Sequence, residues 1–170
     1  MQKAIIEKKI KGLACFIYKK NDDLKIFSMK TQEEITNYFP EFIEKFKSIT
    51  DSDVLLEGSF VGFTDLNQQI VPTTRDSYDY AKFYIWDILW YNQPLDEYSW
   101  NQRHGIIRKL KLGEDICELK SLLVKTEDEV NKAISLMKVL TDELIIKPYT
   151  EPNQLYILNL RKEAADEQEG

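Results

Sequence analysis

The sequence predicts an α+β domain built mainly from antiparallel sheet, and three features carry that reading. An early hairpin sets "LACFIYKK" and "LKIFSMK" on either side of Asn21, Asp22 and Asp23. Strands and helices are then interspersed along the chain. Two helix starts are marked by a hydroxyl residue with Gln or Glu three positions on: Ser99 with Gln102, and Thr126 with Glu129.

The elements follow in order. "AIIEKK" is a first strand, leading into a turn that carries Glu7, Lys8, Lys9, Lys11 and Gly12 before the hairpin begins. "NYFPEFIEKFKSI" is helical from Pro40, because proline is tolerated at the first helical position. Ile43 and Phe46 are expected to face the core, with Phe42 flanking them. Val54 to Phe63 is a strand whose alternation puts Glu57, Ser59 and Val61 on one face and Leu56, Gly58 and Phe60 on the other. The polar stretch "TDLNQQIVPTTRDSYDY" reads as a long loop. "AKFYIWDILWYN" is an aromatic-aliphatic strand interrupted by Asp87, which needs a partner if buried and is expected to bond to backbone or to Arg103. Val130, Ile134 and Met137 form a helical stripe after Thr126. "ELIIK" and "LYILNL" are the final strands, and the charged end, residues 163–170, is expected to be a disordered acidic tail.

Composition narrows the function classes. At 170 residues, with 43% hydrophobic and 12% aromatic content, the chain can bury a core as one compact domain or as part of a larger protein. A net charge of −6 argues against strong non-specific DNA binding, which needs clustered positive charge, although it does not exclude a local basic groove. Cys15 and Cys117 lie in apolar runs and read as buried free thiols of a reducing compartment. With a single histidine, His104, a His-based zinc site or triad is not expected. No signal peptide or run of about 20 apolar residues is present, so the expected location is cytoplasmic, with no membrane partner.

The motifs become specific through their order. "EKKIKG", "LKIFSMK…ITNYFPEF", "VLLEGSFVGF", "FYIWDILWYN" with "WNQR", and "LLVKTEDEV", "DELIIK" and "ILNLR" succeed one another from Ile5 to Arg161. In that order they resemble the motifs of ATP-dependent DNA ligase adenylation domains, members of the covalent nucleotidyltransferase superfamily that also holds RNA ligases and mRNA capping enzymes. The resemblance implies a core of antiparallel sheets flanked by helices over residues 1–162, with the family's oligonucleotide-binding-fold domain expected to be missing.

The resemblance also implies a chemistry. A lysine amine attacks the α-phosphate of ATP with Mg²⁺ assistance, releasing pyrophosphate and forming lysyl-AMP, from which AMP passes to a nucleic-acid 5′ end. On that pattern Lys9 is the nucleophile position and Glu7 the adenine-contacting position. Glu57 holds the first acidic place of the third motif, as a nucleotide or metal contact. Tyr84 or Trp86 is the aromatic that stacks on the base. Asp142 is the acidic, metal-side residue of the fourth motif, and Lys147 the α-phosphate contact.

The departures fall on charged positions. Lys11 stands where the family has Asp after the nucleophile, Ala14 and Met29 where it has arginines, Ser59 for a carboxylate and Glu143 for a glycine. Asn159 and Arg161 take the places of the last motif's two lysines. Removing one such electrostatic group commonly lowers a rate by a hundredfold or more. Two readings therefore stand: a degenerate, non-catalytic module binding a nucleotide, nucleic-acid ends or a protein partner, and an active adenylation domain completed by a separate domain or subunit. Lys9 is correspondingly either a nucleotide-contacting residue or a solvated strand end.

Overall fold

The computed structural model describes residues 4–10, 12–64, 69–72, 78–137, 141, 143–148 and 155–159. It contains two compact units: residues 1–9, 96–101 and 120–170 form one, and residues 10–95 and 102–119 the other. Asp142 and the tail over 163–170 lie outside the described residues. Among the described residues, no helix is long and apolar enough to cross a membrane.

The larger unit is a six-stranded sheet. β2 (Leu13–Lys20) and β3 (Asp23–Ser28) form the expected hairpin, with Asn21 at φ 55° in its turn. Asn tolerates that left-handed conformation better than most residues. β4 (Val54–Phe63) pairs with β2 on one side and with β6 (Tyr80–Tyr91) on the other. A short strand not expected in the polar loop, β5 (Gln69–Ile70), also pairs with β4. The strand order is β3-β2-β4-β6-β7, and β6 pairs with β7 (Ile116–Glu118) in parallel. A helical crossover, α2 (Trp100–Arg108), separates these two strands and permits the parallel arrangement.

One face of this sheet is dry. Ile26, Ile17 and Leu56 are aligned across β3, β2 and β4 and are fully buried. Phe39, Phe42, Phe46, Phe60 and Phe83 form a connected aromatic cluster, including a Phe39–Phe60 stack at 3.8 Å between centroids. Helix α1 (Pro40–Lys47) starts at proline as expected, but its buried side differs from the expected one. Phe42 and Phe46 are buried and Ile43 only partly so, because Phe42, Phe46 and Ile49 form the i, i+4, i+7 stripe against the sheet. Gly58 is required by close approach: a Cβ there would lie 2.3 Å from the Tyr84 carbonyl oxygen and 2.5 Å from the Phe83 ring.

The smaller unit is a four-stranded antiparallel sheet of order β10-β9-β1-β8: β10 (Tyr156–Asn159), β9 (Glu143–Pro148), β1 (Ala4–Lys8) and β8 (Ser121–Val124). Alternation sends Ala4 and Ile6 of β1 to one side, where Val124 and Leu144 join Val130 and Ala133 of α3 (Glu127–Met137). Ile134 and Met137 pack at the margin of that cluster. The start of α3 is a variant capping box: the Thr126 hydroxyl accepts the Glu129 amide at 3.2 Å, while the Glu129 carboxylate accepts the Lys125 amide at 2.6 Å.

Candidate functional site

In the smaller unit the face of β1 opposite α3 carries Ile5 and Glu7. Ile5 lies directly across from Lys147 of β9, and Glu7 across from Ile145. Glu7 and Lys147 are therefore diagonal neighbours on one face, within reach of long side chains. They form an ion pair in which the Glu7 side chain is fully buried and that of Lys147 is 2% exposed. Trp100, at the first position of α2, sets its ring 4.6 Å from the Lys147 ammonium, a cation–π contact. Lys147 is thus enclosed between a carboxylate and an aromatic face.

Lys9 follows β1 directly. Its amide donates to the Glu143 carbonyl at 3.0 Å, and its ammonium lies 3.0 Å from the Glu143 carboxylate. The Lys9 side chain is 49% exposed, so the pair sits at the surface. Both predicted lysines of this unit are therefore engaged by acids of the same sheet. The partner of Lys9 is the residue that stands where the resemblance expects glycine.

In the larger unit β4 and β6 bring Glu57 and Trp86 together. The register between these strands shifts on either side of the Leu56–Glu57 pair, leaving Leu89 and Trp86 as extra residues in β6. Such a bulge re-aims a side chain. Here the Trp86 indole N–H donates to the Glu57 carboxylate at 3.2 Å. Tyr84, opposite Ser59, is half-buried, and desolvation raises its phenol above the ordinary value against a smaller opposing effect of Lys82. Past the bulge Asp87 is buried, accepting from Arg103 Nε at 2.9 Å and from the Ile88 amide at 2.8 Å. Both expected kinds of partner are present.

The pairings not anticipated from sequence are Glu7 with Lys147, Lys9 with Glu143 and Trp100 over Lys147 in the smaller unit, and Trp86 with Glu57 in the larger. The first could have been found by setting "AIIEK" antiparallel to "LIIKP". No sequence signal distinguishes Trp100 from any tryptophan at a helix start. Among the described residues no group of three or more His, Cys, Asp or Glu side chains could hold a metal ion. Asp142, the second expected metal-side acid, lies outside the described residues.

The family model for the ATP dependent DNA ligase domain matches residues 1–163. The chain belongs to the ATP-dependent DNA ligase domain family. This ligase-domain chain is 33% identical over 132 residues to a DNA ligase of Methanococcus maripaludis, covering 65% of the chain and 23% of that protein. Against a DNA ligase of Methanosphaera stadtmanae it is 25% identical over 169 residues, covering 89% of the chain and 30% of that protein. It thus spans less than a third of the length of these relatives. The fold matches that of the ligase domain of LigD from M. tuberculosis, with a TM-score of 0.68, 12% identity, and coverage of 91% of this chain and 50% of that one. An archaeal ATP-dependent RNA ligase aligns with a TM-score of 0.61 and 11% identity over 94% of this chain and 42% of that one.

Proposed function

We propose that this ligase domain keeps the scaffold of adenylation and has lost most of its turnover, acting as a binding module for nucleotide, nucleic-acid ends or a protein partner. In this reading the module is residues 1–162. The observation that carries it is the Lys9–Glu143 pair. A nucleophilic amine needs its lone pair directed at the phosphorus, and here the nitrogen donates to a carboxylate 3.0 Å away.

The other residues agree. A triphosphate with its metal needs uncommitted cations and convergent carboxylates. Lys147 is enclosed by Glu7 and Trp100, and Glu57 receives the indole N–H of Trp86. The positions of Ala14, Met29 and Ser59 supply neither arginine nor carboxylate. The described side chains do not fit a metal-bound triphosphate. A base-stacking role for Trp86 or Tyr84 is compatible with this reading, because an aromatic face needs no free charge.

A second reading, adenylation at Lys9, is favoured by the exposure of that side chain. A surface ion pair is worth only about 0–1 kcal/mol and opens readily. One experiment separates the two: incubation with α-labelled ATP and Mg²⁺ or Mn²⁺, followed by denaturing electrophoresis of wild type and Lys9→Ala. The binding-module reading expects no Lys9-dependent label above background, with an ATP-induced thermal shift if the nucleotide pocket is retained. Stoichiometric label on wild type that vanishes in Lys9→Ala would establish the active enzyme instead.

A further inference from the structure

The face of the six-stranded sheet that turns away from the phenylalanine cluster has a separate feature at its hairpin end. Register aligns Lys25, Tyr18, Leu55 and Trp90 in one row across β3, β2, β4 and β6. Cys15, Ile17 and Lys19 take the buried positions of β2, so the alternate residues Phe16, Tyr18 and Lys20 lie on the other face. Leu55 and Tyr18 are half-buried, and Trp90 is 41% exposed, unusual for so large an apolar ring. A groove of about 300 Å³ opens there, lined mainly by Tyr18, Lys20, Asp53, Leu55 and Trp90.

The polar groups of the groove decide what it would take. Asp53 accepts the Asn21 amide at 2.8 Å, which ties this carboxylate to the hairpin turn. Lys19 is buried, and its ammonium donates to the Ser52 carbonyl at 3.2 Å. Lys20 is the exposed cation of the lining, beside the aromatic rings of Tyr18 and Trp90. Asp22 and Asp23 at the hairpin tip limit the positive potential, so a ligand held by phosphate contacts alone, such as a duplex backbone, is disfavoured. Ring faces beside one cation suit a flat heterocycle carrying a phosphate. Stacking platforms for unpaired bases on open sheets are built in this way.

We propose that this groove binds a single-stranded nucleic-acid segment, one base lying on Trp90 and Tyr18 and its phosphate meeting Lys20. The lining residues all belong to the six-stranded unit, and the proposal does not rest on adenylation at Lys9. It is tested by fluorescence anisotropy of the full chain with a labelled oligothymidylate across a salt series. A duplex of the same length and polyglutamate serve as competitors, and thermal melts control for folding. Wild type is expected to bind the single strand more tightly than the duplex. Trp90→Ala is expected to weaken binding roughly tenfold, the effect of losing one base–aromatic stack. Trp90→Leu, which keeps apolar bulk in β6, should weaken it comparably and serves if the alanine variant is unstable. Lys20→Ala should lower the slope of log affinity against log salt by about 0.7, one phosphate contact on a single strand. The adenylation test reads label at Lys9 and this test reads Trp90 and Lys20, so failure of one is distinguishable from failure of the other. Absence of oligonucleotide binding, affinity unchanged in both Trp90 variants, or equal displacement by polyglutamate would overturn the proposal; the last would assign the groove to an acidic peptide.

Discussion

Each unit of the molecule buries an ion pair, and the two pairs differ in what their surroundings ask of them. In the six-stranded unit Asp87 follows the β6 bulge and is held by both Arg103 and the Ile88 amide, so side chain and backbone share one acceptor. Removing either charge leaves β6 with a buried, unmatched group where its ladder is already irregular. In the four-stranded unit Glu7 and Lys147 join β1 and β9, two strands whose ladder is continuous from Ala4 to Lys8 without them. The first pair completes the backbone, and the second adds to a sheet that is already complete. Burial of charge therefore does not by itself mark function. A buried pair that the local backbone does not need is the better candidate for an inherited site.

The sharpest test of this contrast is to break the architectural pair. Arg103→Ala strands the Asp87 carboxylate in the core and is expected to destabilise the fold by about 3–5 kcal/mol in urea denaturation. A loss below about 1 kcal/mol would show that β6 does not depend on the pair, and the distinction would collapse.

Opening of the six-stranded unit can also be read from its cysteines, both of which lie in it. Burial pushes the Cys15 thiol from 9.0 up to about 12, and desolvation also raises Cys117. With the Cys15 pKa raised on folding, its contribution is intact below pH 9 and is lost as pH climbs from 9 to about 12, since only the unfolded chain ionises across that window. About 3 units at 1.36 kcal/mol each gives about 4 kcal/mol of alkaline destabilisation from this group. Urea midpoints across that range should fall in wild type and fall less in Cys15→Ala. Parallel decline in both would remove Cys15 as the cause.

How much of this was legible in the sequence follows the same divide. Strand β4, the hairpin, the proline helix start and both partners of Asp87 could be read, because alternation, turn residues and burial cost act over a few neighbouring residues. The three-residue strand β7 and the two-residue β5 are too short for periodicity to register. The buried face of α1 differs from the expected one because Phe42, Ile43 and Phe46 are all apolar, and only the opposing Phe60 and Phe83 select among them. Family order pointed to Glu7, Lys9 and Lys147 in one unit and to Glu57, Tyr84 and Trp86 in the other, but not to the pairings inside each unit. The pairings of Glu7 and Lys9 depend on register between strands more than a hundred residues apart, and that of Glu57 with Trp86 on a bulge in β6; no local pattern encodes either.

The pair in the four-stranded unit should behave oppositely to Asp87–Arg103. Replacing both partners, Glu7→Leu with Lys147→Met, removes two buried charges at once and leaves an apolar strand face against Trp100. The double variant is expected to stay within about 1 kcal/mol of wild type or to gain stability, as when buried pairs give way to apolar residues of similar volume. Either single variant should be the less stable species, since each leaves one charge unmatched. Urea melts of all three close the cycle. A double variant as damaged as Arg103→Ala would mean that this pair too is structural.

The smallest effect on stability is expected at Lys9, the residue on which the proposed function turns. Glu143→Gln removes the charge of the partner while keeping β9 and the Lys9 amide contact to its carbonyl. A half-exposed pair contributes about 0–1 kcal/mol, so the melt should shift little, and less still in high salt. Glu143→Gly goes further by restoring the residue type that the resemblance expects, at an added strand penalty of about 0.5–1 kcal/mol. If the carboxylate restrains Lys9, both variants should show more Lys9-dependent label from ATP than wild type does, glycine more than glutamine. Label unchanged from wild type in both would shift the deficit to Ala14, Met29 and Ser59. Those positions lack charge altogether, and no rearrangement of an existing pair can restore it.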